Sequence, residues 1–328
     1  MDMLPPVPDR PLVSVVTPTL NQSSFLERTL ASVRGQAYPF VEHIVVDGGS
    51  TDGSLEILRS AEEAGSVRFV SGPDAGMYDA VNKGLAMASG EVHAYLNSDD
   101  VYPPWAIETA MSIFERRPEV DIVYGDGVKV EHETGVQRLR LLPPFDRLRV
   151  ANYDSLLQPA VFWRSRITER LGGFDRSMRY VADLDFWLRA AGGGAVIAQV
   201  HEMLAFERLH AGRLSTAQKE AMAIEAEAMR AGHAGASFGG QARERAKATH
   251  LAFQRRLLRR FAVTVVLARF PIRVGGPWAR FLRDGGVHAS ARRLFGAARR
   301  NDHGARNTVI SGLAAELLGT PLVADRPR

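Results

Sequence analysis

Four times in its first 116 residues the chain passes from a short apolar run into a stretch with helical spacing. Leu12 to Thr17 is apolar and β-branched and meets Pro18, and behind it Phe25, Leu26, Leu30 and Val33 fall on one side of a helix. Val41 to Val46 reads as a second strand ending at Asp47, followed by a Gly48-Gly49-Ser50-Thr51-Asp52-Gly53 loop and a helix from Ser54 to Ala64. Val67 to Val70 is a third strand, and Tyr78 to Ala88 a helix with Val81, Leu85 and Ala88 inward. In the fourth, Val92 to Leu96, alternate residues Val92, Ala94 and Leu96 share a face, and Pro103-Pro104 forbids its continuation before a helix to Arg116. Strands alternating with helices predict an α/β fold with a mostly parallel central sheet, right-handed crossovers and flanking helices.

Beyond this the regularity weakens. Ile122 to Tyr124 and Val128 to Glu131 read as two strands, Thr134-Gly135 as a polar turn and Gln158 to Arg164 as an edge strand, together an antiparallel annex. Gly172-Gly173-Phe174 is a turn. Leu184, Trp187, Leu188 and Ala191 stand at i, i+3, i+4 and i+7 before Gly192-Gly193-Gly194, which predicts a short amphipathic helix beginning at Asp183. Ala195 to Val200 is a further strand. From Ala217 the chain turns to Ala, Arg and Leu with helical spacing, so we expect a boundary near Thr216, with an α/β domain over 1–216 and a basic helical extension over 217–328.

Charge sharpens that division. Residues 1–216 hold 21 Lys+Arg against 29 Asp+Glu, and residues 217–328 hold 20 against 8, so a net charge of +4 conceals −8 followed by +12. Within 251–300 the pairs Arg255-Arg256, Arg259-Arg260, Arg292-Arg293 and Arg299-Arg300 alternate with Leu257-Leu258, Phe261, Trp278 and Phe281, a pattern suited to an anionic membrane surface. Packing on the first domain or a dimer interface are the competing readings, oligomeric state is left open, and no nucleic-acid partner is expected. The absence of cysteine excludes disulfides, thiol catalysis and cysteine-bound zinc. No apolar run approaches the roughly 18 to 20 residues of a membrane span, and Met1 to Pro11 lacks the apolar stretch of a signal peptide, so the expected location is cytoplasmic, peripheral on the inner face of the membrane if the tail binds there.

Chemistry-bearing side chains collect where predicted strands end, the edge at which open α/β sheets bind ligands. Asn97-Ser98-Asp99-Asp100 offers hard oxygen donors suited to Mg²⁺ or Mn²⁺, although an Asp pair also caps helices. Asp47 can accept hydrogen bonds from a base or ribose, with Gly48 permitting close approach, or can simply shape an Asp-Gly turn. Asp74 or Asp79 supplies a further carboxylate; Asp79 can also cap its helix, and Asn82 and Lys83 stand one turn later. His210, with Arg208 and Arg213, can ligate a metal or neutralise phosphate. No Gly-x-x-x-x-Gly-Lys loop, Gly-x-Ser-x-Gly elbow or His-Glu-x-x-His is present, which removes the common ATPase, esterase and zincin readings, and a nucleotidyltransferase would need a Gly-rich, lysine-bearing loop that Pro18-Thr-Leu-Asn-Gln22 does not supply.

Five ordered blocks, Leu12-Val-Ser-Val-Val-Thr-Pro-Thr-Leu-Asn21, Val45-Val-Asp-Gly-Gly-Ser-Thr-Asp-Gly-Ser54, Asp74-Ala-Gly-Met-Tyr-Asp-Ala-Val-Asn-Lys-Gly84, Leu96-Asn-Ser-Asp-Asp100 and Asp183-Leu-Asp-Phe-Trp-Leu188, resemble those of family 2 glycosyltransferases. The Tyr-Asp-Ala-x-Asn-Lys-Gly run points towards the subgroup that builds bacterial surface polysaccharides. The resemblance covers about residues 12–215 and implies a GT-A fold and inverting, metal-dependent transfer from a nucleotide-diphosphate sugar to a glycan or lipid-linked acceptor. It implies nucleotide contacts from Thr17, Asp47 and Asp74, and Pro18, Gly48, Asp79, Asn82, Lys83, Ser98 and Arg213 complete the candidate nucleotide-sugar set. The metal, Mg²⁺ or Mn²⁺, would fall to Asp99 with Asn97, Asp100 and His210, and the general base would be Asp183. Asn97 stands where the family's Asp-x-Asp motif has its first Asp, which leaves a non-catalytic nucleotide-sugar-binding module as the alternative.

Overall fold

The computed structural model describes residues 10–152, 156–213, 217–233, 244, 247–249 and 251–253. Its first half follows the predicted alternation: β1 (Val13–Thr19), α1 (Ser23–Arg34), β2 (Val41–Asp47), α2 (Ser54–Glu63), β3 (Arg68–Ser71), α3 (Met77–Met87), β4 (Val92–Tyr95) and α4 (Ala106–Arg116). The second half holds β5 (Ile122–Glu131), β6 (Gln137–Arg140), α5 (Arg147–Asn152), a 3₁₀ turn at Gln158–Ala160, β7 (Val161–Arg164), α6 (Ser165–Leu171), α7 (Ala182–Gly192), β8 (Ile197–Leu209) and α8 (Lys219–His233).

All eight strands form one sheet in the order β3-β2-β1-β4-β7-β5-β6, with β8 also paired to β5. β1 to β4 are mutually parallel, β7 is reversed between β4 and β5, and β8 is parallel to β5. Two reversals restore the original direction, so β5 and β8 again run with β4. The carboxyl ends of β1, β2, β3, β4 and β8 therefore share one edge. Val13, Val15, Val16, Ile44 to Val46 and Val92 to Leu96 are buried in the sheet, because a layer covered on both faces requires continuous apolar runs.

The structure departs from the sequence reading in four places. β1 runs through Pro18 to Thr19, since its pairing with β4 ends at Val16 and the proline's missing donor falls beyond that ladder. The segment read as an edge strand becomes β7, in the middle of the sheet. The two strands read over 122–131 are one, with Gly125 and Gly127 inside it. A Cβ at Gly125 would lie 2.5 Å from Leu204 Cγ, and one at Gly127 2.7 Å from the Ala205 carbonyl oxygen, so these glycines mark the close approach of β8 at its register shift. β8 extends through Leu209, far past the predicted Val200, and carries Glu207 and Arg208 to the edge.

Helix α3 lies against β1 because Gly84 has no side chain: a Cβ there would meet Val16 Cγ1 at 2.3 Å. α8, the first element past the boundary expected near Thr216, contributes Ala226 and Met229 to the main core. The basic, apolar-interleaved run read over 251–300 lies almost wholly outside the described residues. Among the described residues no helix is long and apolar enough to cross a membrane.

Candidate functional site

The loop after β4 and the end of β8 meet in a buried network of charge. Thr29 of α1 shares its hydroxyl proton between the Ser98 carbonyl (2.9 Å) and the Asp100 carbonyl (2.8 Å), which fixes the loop backbone. His210 donates from Nε2 to Asp99 Oδ2 at 3.0 Å. Arg213 places its guanidinium 3.1 Å from Asp100 Oδ1, 3.7 Å from Asp99 Oδ2 and 2.8 Å from Glu207 Oε1, while Lys129 meets Glu207 at 2.7 Å. Arg208 donates its backbone N–H to Asp100 Oδ1 at 2.8 Å and Nε–H to the Asp99 carbonyl at 3.0 Å, and its guanidinium carbon sits 4.5 Å from the centre of the Phe25 ring. Phe25 also contacts His132 and His210, with ring centroids at 5.1 and 4.8 Å.

Burial opposes charge on both adjacent aspartates, but their partners separate them. At Asp99, Arg213 and His210 outweigh burial and hold the carboxyl below the usual carboxylate range. At Asp100 burial dominates over Arg213, and the neighbouring Asp99 charge adds to it, pushing the pKa up to about 7. Burial would lower Arg213, yet Asp100, Glu207 and Asp99 raise it above its ordinary value. Burial pushes Arg208 down to about 10.

The residues expected to hold a metal differ in their surroundings. Asp99 Oδ2 and His210 Nε2 lie 3.0 Å apart, a spacing at which one oxygen and one nitrogen would both reach Mn²⁺ or Mg²⁺ once the ion replaced the proton that His210 donates here, with diphosphate and water completing the coordination. Asp100 is fully buried, with Oδ1 taken by Arg208 and Arg213 and Oδ2 without a hydrogen-bond partner. Asn97 donates from Nδ2 to Gln158 Oε1 at 3.1 Å, and Gln158 donates to the Tyr95 carbonyl at 2.7 Å. Its Oδ1 is buried and without a hydrogen bond. Among the described residues no group of three or more His, Cys, Asp or Glu is arranged to hold a metal ion.

A second cluster closes the ends of β2 and β3. Asp47 is fully buried, with Oδ2 accepting from Gly49 N (3.0 Å), Ser50 N (3.0 Å) and Ser71 Oγ (2.7 Å), while Oδ1 has no partner. Asp74 Oδ1 accepts from Gly76 N at 2.8 Å. A Cβ on Gly48 would lie 2.8 Å from Asp74 Oδ2, so the glycine lets the two loops close on each other. Thr17 is buried, with its hydroxyl 2.9 Å from His43 Nε2, and burial keeps His43 neutral by lowering its pKa to about 3. Pro18 and Asp47 lie on neighbouring strands at this end, and Ser98 is buried in the β4 loop.

The run from Tyr78 to Gly84 is tied to neighbouring segments of the protein. Asn82 uses both ends of its carboxamide on Phe174, donating to its carbonyl at 2.7 Å and accepting from its N–H at 2.9 Å. Asp79 pairs with Lys83 at 3.0 Å and with Arg176 at 3.2 Å, and accepts from Ala75 N at 3.1 Å; that backbone hydrogen bond, with Lys83, holds its pKa low. Lys83 also donates to the Pro73 carbonyl at 3.2 Å. Asp183, in the first turn of α7, receives the Tyr78 hydroxyl on Oδ1 at 3.1 Å. Two residues on, Asp185 is bound by Arg189 at 2.6 Å and His233 at 2.7 Å.

The family profile of "Glycosyl transferase family 2" matches residues 14–169. An uncharacterised glycosyltransferase of Mycobacterium tuberculosis is 37% identical over 184 residues, which span 55% of this chain and 69% of that protein. The chain belongs to glycosyl transferase family 2. A PGL/p-HBAD biosynthesis glycosyltransferase of Mycobacterium bovis is 28% identical over 192 residues, covering 58% of this chain and 73% of the relative. In fold, it is similar to residues 1–349 of S. aureus TarS in complex with UDP-GlcNAc (TM-score 0.56, 18% identity, 93% of this chain and 92% of that one). It is also similar to a mannosyltransferase from Pyrobaculum calidifontis in complex with GDP-Man and Mn²⁺ (TM-score 0.55, 20% identity, 95% and 87%). The fold is GT-A.

Seen as a family 2 chain, its sequence concealed several site residues. Phe25 was assigned to the inward face of α1 because it adjoins Leu26, yet it is only half-buried and lies under Arg208. Glu207, Gln158 and His132 sit in stretches without a recognisable block, and only the long β8 pairing brings Glu207 to the edge. Tyr78 stood inside a quoted block, but nothing local signals that its hydroxyl meets a residue 105 positions away.

Proposed function

We propose that this family 2 chain transfers a sugar, with inversion, from a nucleotide-diphosphate sugar to a glycan or lipid-linked acceptor in cell-envelope or exopolysaccharide synthesis. The observation that carries the reading is the pairing of Asp99 with His210 at the sheet edge, 3.0 Å apart, alongside a separate carboxylate at the start of α7. In the transfer, Asp183 takes the proton of the acceptor hydroxyl as its oxygen bonds to the anomeric carbon. The bond from that carbon to the diphosphate breaks, and its electron pair leaves with the nucleoside diphosphate. Asp99 and His210 would hold Mg²⁺ or Mn²⁺, which supplies charge neutralisation for the leaving diphosphate. Asp47, Asp74, Gly48, Thr17 and Pro18 lie on the side of the sheet we assign to the nucleoside.

We assign catalysis to 1–216 with α8 docked upon it, and contact with an anionic membrane to the basic region beyond, where residues 234–328 carry 18 Lys+Arg against 5 Asp+Glu and would bring the enzyme to a lipid-linked acceptor at the inner face of the membrane. A second reading, a nucleotide-sugar-binding module without turnover, draws on Asn97, an amide where the family's motif has its first Asp. One experiment separates the two: a panel of nucleotide sugars with Mn²⁺ or Mg²⁺, read by thermal shift and by slow donor hydrolysis. Catalysis predicts a stabilising donor that is also hydrolysed and transferred, whereas stabilisation without any turnover supports the binding module.

A further inference from the structure

Tyr78 opens α3 and is 3% exposed, so its hydroxyl must find a partner inside the protein. It donates to Asp183 Oδ1 at 3.1 Å, the same oxygen that accepts the Leu184 N–H at 2.9 Å. Its ring stacks on Phe174 with centroids 5.8 Å apart and planes inclined by 19°. Phe174 is in turn gripped by Asn82, and Arg176 by Asp79. Three residues within two turns of one helix thus reach the segment that leads into α7. Burial and the Asp183 charge raise the Tyr78 pKa well above its ordinary value, so the phenol keeps its proton and remains a donor.

We propose that Tyr78 is a positioning residue for the transfer reaction: its buried hydroxyl holds the Asp183 carboxylate by one oxygen and thereby fixes its orientation towards the acceptor. The proposal rests on the reading of Asp183 as general base. At the first turn of a helix a carboxylate can swing between rotamers, including one that caps its own helix. A hydroxyl carried by a separate, rigidly packed helix selects one of them. The donated hydrogen bond also favours the ionised carboxylate, the form a base requires. The other titratable groups around the pair are Tyr95 at the end of β4, which feels the Asp183 charge, and Glu225 on α8, which bears on Tyr78. Asp185, on the same helix as Asp183, is bound by Arg189 and His233.

The test is Tyr78→Phe, which keeps the ring and its stack on Phe174 and removes only the hydroxyl. Beside it, Asp183→Asn reports whether the base reading holds. With the donor selected by the panel above, Tyr78→Phe should leave donor KM and nucleotide-induced thermal shift at wild-type values and lower kcat by about 10- to 100-fold. It should also move the acid limb of the pH–rate profile to higher pH, since the carboxylate loses a hydrogen bond to its charged form. If Asp183→Asn is inactive while Tyr78→Phe has wild-type kcat and pH profile, the positioning role is wrong and the base reading survives. If Asp183→Asn is active, the base reading itself fails. A kcat loss that merely tracks a lower Tm, with an unmoved pH profile, also overturns the proposal.

Discussion

Asp185 of α7 and His233 of α8 are joined by a 2.7 Å hydrogen bond, and Arg189 closes on the same carboxylate at 2.6 Å. Both oxygens of Asp185 therefore serve packing, while Asp183, two residues earlier and roughly 200° round the helix, meets Tyr78. Asp185→Ala should destabilise the fold by about 3 kcal/mol, the scale for breaking a buried ion pair from one side. Asp183→Asn should retain the wild-type Tm and donor binding yet lose transfer by about 10²-fold or more. Denaturation curves and single-turnover assays of the two variants check this; a dead Asp185→Asn beside an active Asp183→Asn would reverse the assignment.

The adjacent aspartates after β4 should behave as differently as their surroundings. Asp99→Ala and His210→Ala are expected to fold and to lose Mn²⁺-dependent nucleotide binding, measured by titration calorimetry with and without chelator. Asp100→Ala removes the buried partner of Arg213 and of the Arg208 N–H, and should cost about 3 kcal/mol or more of stability before any effect on metal can be read. Wild-type metal dependence in Asp99→Ala would remove that residue from the metal site.

Gly84→Ala is a one-carbon test of how tightly α3 is seated. The new methyl would collide with Val16 at 2.3 Å, so α3 must shift away from β1 at an expected cost of about 1 to 3 kcal/mol. Because α3 carries Tyr78, kcat should fall further than the lost stability explains when measured well below Tm. Unchanged kcat with lower Tm would show that the helix moves without disturbing Asp183.

His43 should make the protein sensitive to mild acid. Burial lowers its pKa from 6.5 to about 3 in the folded state, so folding favours the neutral ring. Its contribution is fully present above pH 6.5 and is lost as pH falls from there towards 3, reaching about 2 to 3 kcal/mol near pH 4.5. Urea denaturation at pH 7.5 and 4.5 should show a smaller pH-dependent loss for His43→Asn than for the wild type. Equal losses would mean that His43 is not the responsible group.

The basic region gives the last prediction. Full-length protein should co-sediment with anionic but not neutral liposomes, with binding weakened by salt, while a chain ending at residue 233 should not bind. Ending at 233 preserves Glu225, whose carboxylate accepts from Tyr180 N at 2.7 Å, and His233. Equal, salt-insensitive binding to both liposome types, or no binding at low salt, would reassign the region to packing or dimerisation.

The first four strands were legible because each is an apolar run bounded by Pro, Gly or Asp, and the placement of Asp47 and Asp99 at strand ends followed from that, while the spacing of Leu184, Trp187, Leu188 and Ala191 put Asp183 at a helix start. β7 was not legible as a central strand: Val161-Phe-Trp-Arg164 carries no mark of which strands flank it, and long-range pairing alone places it between β4 and β5. Gly125 and Gly127 disguised a single strand as two, since a glycine admitted for close approach looks the same in sequence as one admitted for a turn. Asn82 and Lys83 lay near predicted ligand loops along the chain, but neither spacing nor residue type could disclose that Phe174 and Pro73 would claim them.

α8 bears on both ends of the candidate site. Arg213 leaves the Asp99 network, its carbonyl accepts from Ala217 N at 2.8 Å, and the chain then enters the helix whose Glu225 grips the backbone N–H groups of Arg179 and Tyr180. α8 therefore meets, through Glu225, the segment that leads into α7 and Asp183. Loss of α8 would free the Arg179 and Tyr180 backbone that precedes α7, so a helix beyond the expected domain boundary belongs to the frame that seats Asp183.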